Sequence, residues 1–167
     1  MKQGRKISIV SRMFAVLLAV MMVCSNISLP SKAAETVQTI AAWEYKEKDS
    51  APSSLPAGAT SGSGQLNVTG ATYTGYSSKS LAANNWEEEG YWTISEINAE
   101  KYENLTFSAS LRSSNTGAKN FQLEYSLDKG QSWTVVDGGA VEITSTNLTQ
   151  LYKDVKLPAE LSGQNFA

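Results

Sequence analysis

Histidine is absent from all 167 residues, and the one cysteine, Cys24, falls in an N-terminal apolar run. Without histidine, neither a Ser-His-Asp nor a Cys-His nucleophilic site can form, and the usual His/Cys zinc sets are excluded. Without a second cysteine, no disulfide can staple the chain internally. Arginine is scarce as well: beyond residue 12 only Arg112 remains. No glycine-rich segment follows a strand and opens a helix, so a phosphate loop is not expected. No internal repeat is present, which argues against a propeller or solenoid. What remains for chemistry is carboxylates, lysines, amides and aromatic rings.

The N-terminus carries its own signature. Lys2, Arg5, Lys6 and Arg12 form a basic start to the apolar run 13–24, and Pro30 precedes Ser31-Lys32-Ala33. That order is expected of a secretory signal peptide, residues 1–33, cleaved after a small-x-small site. The apolar run is short of the ~20 residues that span a bilayer, so the membrane is met only during export. Cys24 follows Val23 rather than a small residue, and a lipid anchor is not expected. Residues 34–167 then hold all 16 acidic residues against nine of the 14 basic ones, a net charge of −7. An acidic surface without basic runs argues against nucleic acid or anionic lipid as the main partner. The expected place of the mature chain is outside the cell.

Residues 34–167 read as a single domain of many short strands. Leu105, Phe107, Ala109 and Leu111 alternate with Thr106, Ser108, Ser110 and Arg112, the period of a half-buried strand. Phe121, Leu123, Tyr125 and Leu127 do the same, and Trp133 and Val135 begin the return. Further strands are predicted over 35–45, 65–69, 71–76, 91–97, 140–143 and 148–157. The Ser/Pro/Gly/Ala stretch 49–64 reads as a flexible loop or linker, 77–90 as a polar loop and Asp137-Gly138-Gly139 as a turn. No segment has a convincing amphipathic helical period. The expected class is all-β, an antiparallel β-sandwich.

Among candidate site residues, Trp86, Tyr91 and Trp92 cluster near a polar loop that also holds Asn84 and Asn85. Exposed aromatic faces are how β-sandwich modules stack on sugar rings, and amides supply hydrogen bonds to hydroxyls. Tyr91 and Trp92 must point to opposite faces of a strand, so only one of them can serve. Trp86 or Tyr91 is therefore the expected platform for an extracellular neutral glycan, with Asn84 or Asn85 as polar partner. Trp43 and Trp133 read as core or hairpin-packing residues. Glu87-Glu88-Glu89 has oxygens of the kind that Ca²⁺ takes, but three adjacent acids in a loop are expected to be solvated, and no cofactor is implied. Asn67, Asn104 and Asn147 stand in N-glycosylation acceptor patterns that a Ser/Thr/Asn-rich chain meets by chance.

Two resemblances bear on this pattern. Ser126-Leu127-Asp128-Lys129-Gly130-Gln131-Ser132-Trp133 resembles the Asp-box, a hairpin repeated in sialidases and other propeller proteins, where it is structural. Ser126, Asp128, Gly130 and Trp133 are the matching positions. A sialidase would need several copies and an arginine cluster, and this chain has neither. More broadly, the succession Trp43, Ser80-Leu81, Trp86, Tyr91-Trp92, Tyr102 to Phe107, Phe121 to Ser126 and Leu157-Pro158 is similar to a jelly-roll (galactose-binding-like) accessory module. Such modules occur near the N-terminus of secreted multidomain proteins of Gram-positive bacteria. The resemblance implies a jelly-roll fold and a non-catalytic binding or adhesive role at a glycan or cell-wall surface. It also implies that a strand following Phe166 in the family is missing, as in a truncated chain. The alternative expectation is that the chain is the N-terminal non-catalytic fragment of a secreted hydrolase, such as a nuclease or metallophosphatase, whose catalytic domain is absent here. Fold alone does not decide between these roles.

Overall fold

Alternating side chains drive this chain into antiparallel pairs, and the computed structural model describes them over residues 37–167. The predicted signal peptide, residues 1–33, lies outside the described residues. The first strands are β1 (Ala41–Ala42), β2 (Ala57–Gly58), β3 (Ser61–Gly62) and β4 (Gln65–Thr69). There follow β5 (Thr72–Ser77), β6 (Ser80–Asn84), β7 (Tyr91–Ser95), β8 (Ile97–Asn98) and β9 (Thr106–Leu111). The last are β10 (Asn120–Tyr125), β11 (Thr134–Glu142), β12 (Thr149–Lys156) and β13 (Asn165–Phe166). Helix is confined, among the described residues, to the 3-10 turns Lys48–Ser50 and Ala159–Leu161. The described residues are all-β.

Strands pair as β1–β3, β2–β4–β7, β5–β6, β8–β13, β9–β12 and β10–β11, each antiparallel. Residues 38–167 form one compact unit. Its core is built where β10, β11 and the segment before β9 meet the C-terminal stretch. Ala99, Leu105, Tyr125, Val136 and Leu161 are buried there, with Ile40, Tyr102, Leu123, Val155, Leu157 and Phe166 packed against them. Tyr152 adds a second anchor: its ring meets Phe107 at 5.5 Å and its hydroxyl donates to the Gly139 carbonyl at 2.9 Å.

Three expectations from the sequence are corrected. The polar segment 77–90 contains β6, closed on β5 by a two-residue turn, with Ser77 opposite Ser80. Ser78 and Lys79 both have positive φ, 51° and 65°, which is the geometry of a type I′ hairpin turn. Its usual Asn-Gly signal is missing here, so the hairpin was not legible. The Arg112 guanidinium donates to the Ser77 hydroxyl at 2.9 Å and ties the turn to the end of β9.

Asp137-Gly138-Gly139 is a bulge inside β11, not a turn between strands. Gln122 faces Ala140 and Glu124 faces Val135, so five residue steps on β11 oppose two on β10. A Cβ on Gly139 would lie 2.8 Å from the Val136 carbonyl oxygen and 2.9 Å from the Leu123 Cβ. Only glycine fits at that close approach. The third correction is at the start of the unit, where the strand predicted over 35–45 is reduced, among its described residues 37–45, to β1. The stretch 49–64 holds β2, β3 and the buried Ala57, whose carbonyl accepts from Trp43 Nε1 at 3.1 Å.

Candidate functional site

β7 decides which aromatic ring meets solvent. Paired with β4 through Val68↔Trp92 and Thr69↔Tyr91, it must send Tyr91 and Trp92 to opposite faces. Trp92 turns inward to Trp86, their ring centroids 6.1 Å apart and edge to face. Trp86 meets Phe121 of β10 in the same manner, at 6.4 Å and 87°. Its indole N–H is spent on the Ala83 carbonyl at 3.1 Å. A Cβ on Gly90 would stand 2.8 Å from Trp86 Cε3, so the ring is packed down on the chain that follows it. Trp86 is a half-buried packing residue.

Tyr91 lies on the other side and is 42 % exposed. Its ring stands 5.9 Å from that of Trp133, inclined by 58°. Val135, two residues beyond Trp133, is also exposed, as is Leu127 across the turn. The two candidate platforms, Trp86 and Tyr91, therefore fall on different faces. Tyr91 reaches the surface, Trp86 does not share its face, and Asn84 and Asn85 are exposed at the end of β6 and in the turn after it. Trp133 is the member that sequence reasoning missed. A weak signal was present: Trp133, Val135 and Val136 break strict alternation, so not all three can face the core.

The 126–133 hairpin explains how Trp133 reaches that position. Ser126 Oγ donates to Asp128 Oδ1 at 2.8 Å and accepts from the Gly130 N–H at 2.7 Å. Asp128 in turn accepts the Ser132 N–H at 2.8 Å and the Ser132 hydroxyl at 2.5 Å. These bonds, led by that of the Ser132 hydroxyl, hold the Asp128 carboxyl down at about 2. Lys129 and Gly130 take positive φ to close the turn, and the Trp133 ring lies over Gly130, 3.3 Å from where a Cβ would sit. Beneath the hairpin, the Tyr125 hydroxyl donates to the Glu160 carboxylate, a bond that, with burial and the carboxylate's charge, raises the Tyr125 pKa.

A shallow groove of about 450 Å³ crosses the start of the β10–β11 pair, with Phe121 and Val141 among amide and carboxylate side chains of Asn120, Gln122 and Glu142. Trp86 supports this groove through Phe121. The acids Glu87, Glu88 and Glu89 are exposed in a turn fixed by the Glu87 N–H to the Gly70 carbonyl, 2.7 Å. Among the described residues, no three His, Cys, Asp or Glu side chains gather as a metal-ligand set. No helix among them is long and apolar enough to cross a membrane. Compared with protein-family models, with curated proteins and with solved structures, the chain has no match.

Proposed function

We propose that this chain is a secreted, non-catalytic β-sandwich module of jelly-roll type that binds a neutral glycan. The observation that carries the reading is the exposed Tyr91 ring, set against the half-buried ring of Trp133. An exposed aromatic ring held by a second, inclined ring suits the apolar face of a pyranose ring. The excess of acidic over basic residues favours an uncharged polymer over an anionic one. Lack of histidine and of mature cysteine leaves no nucleophilic triad for a reaction.

The test is a glycan array probed with folded protein and with two variants. Tyr91→Ala should abolish binding and leave the melting temperature within a few degrees of the parent. Glu142→Gln, in the groove on β10–β11, should leave binding at the aromatic face intact. An array without signal for the folded parent would sink the reading.

A further inference from the structure

We infer that the C-terminal strand positions the ligand platform, acting through Ser126. Ser126 is only 2 % exposed, and each of its polar groups is engaged. Its backbone N–H donates to the Ala167 carbonyl at 2.8 Å, and its carbonyl accepts the Ala167 N–H at 3.2 Å. This reciprocal pair continues the ladder of β13, in which Asn165 faces Asn98 and Phe166 faces Ile97. β13 thus pairs with β8, and Ala167, the residue that follows it, joins the base of the hairpin.

On its side-chain end, Ser126 organises the turn. Its Oγ holds Gly130 and Asp128, Asp128 holds Ser132, and Ser132 is bonded through the chain to Trp133. Trp133 then leans on Tyr91. The route from Ala167 to the Tyr91–Trp133 pair runs through hydrogen bonds, through the covalent chain at Ser126 and from Ser132 to Trp133, and through one ring contact. Phe166, packed against the core, fixes the far end of that route. Ser126 and Ala167 are positioning residues: neither is on the ring face.

Ala167→Pro in the full chain removes one N–H and leaves every side chain of the hairpin in place. Amide hydrogen exchange is then read at Gly130 and Ser132, with the protected amides of the β4–β7 ladder as the control for an intact fold. Loss of one hydrogen bond corresponds to exchange about threefold to tenfold faster at both turn amides. Coupling is reciprocal, so Ser126→Ala, which keeps the backbone pair, should speed exchange at the Ala167 amide by a similar factor. Unchanged Gly130 and Ser132 exchange in a folded Ala167→Pro protein would overturn the inference, and so would an indifferent Ala167 amide in Ser126→Ala. The functional weight of the coupling rests on the platform reading above. Exchange requires no ligand, so failure of the coupling and failure of glycan binding are distinguished.

Discussion

Truncating Trp86 to alanine separates an interior role for this ring from a surface one. Trp86 makes two edge-to-face contacts, with Trp92 and Phe121, and one hydrogen bond to the Ala83 carbonyl. Each aromatic contact is worth about 0.5–1.5 kcal/mol and the hydrogen bond about 1 kcal/mol. Truncating a fully buried tryptophan costs about 3–5 kcal/mol, and half burial brings the figure to about 2–3 kcal/mol. For a unit of this size that corresponds to a melting temperature lower by about 10 °C. Urea unfolding followed by circular dichroism should show a lower midpoint with an unchanged slope. Tyr91 has one ring contact, with Trp133, against the two ring contacts and the hydrogen bond of Trp86, and is more exposed, so Tyr91→Ala should cost about 1 kcal/mol. The reasoning is refuted if Trp86→Ala melts within about 2 °C of the parent while Tyr91→Ala loses the larger amount.

Other substitutions probe the backbone and the turn. Lys79→Gly relieves a left-handed residue at the tip of the β5–β6 hairpin and should raise stability by about 1 kcal/mol in the same urea assay. Gly139→Ala forces a methyl against the Val136 carbonyl and should destabilise by about 1–3 kcal/mol, with β10–β11 amides exchanging faster. Asp128 has a depressed pKa, so its contribution is full above the unfolded value near 4 and is lost as pH falls to about 2. Asp128→Asn should flatten that acid limb in a pH series of urea midpoints.

Strict alternation made β9 and β10 legible, because one face of each is buried and the other wet. The 126–133 turn was equally plain, since Asp128, Gly130 and Ser132 are the residue types that a tight turn needs. β6 was hidden because Ser78 and Lys79 adopt positive φ without a turn composition, held by Arg112 from a distant strand. The bulge at Asp137-Gly138-Gly139 looked like a turn for a related reason: glycine supplies positive φ in both settings, and only the partner strand distinguishes them. Trp86 and Tyr91 were both visible as aromatic candidates. Which of them meets solvent depends on the register of β7 with β4 and on the return of Trp133 over its own hairpin, and both are long-range facts.

The breaks in the ladders have a consequence for how copies of this protein meet one another. β5–β6, β9–β12 and β10–β11 each change register partway along. In β12 the break is closed locally, where Asp154 at φ 49° exchanges hydrogen bonds with the Ser108 hydroxyl. A second chain seeking to extend such an edge finds a row of donors and acceptors that twists away after a few residues. A crowded population of these molecules therefore has few flat edges on which to nucleate cross-β stacking. Irregular pairing of this kind disfavours edge-to-edge addition of a second chain.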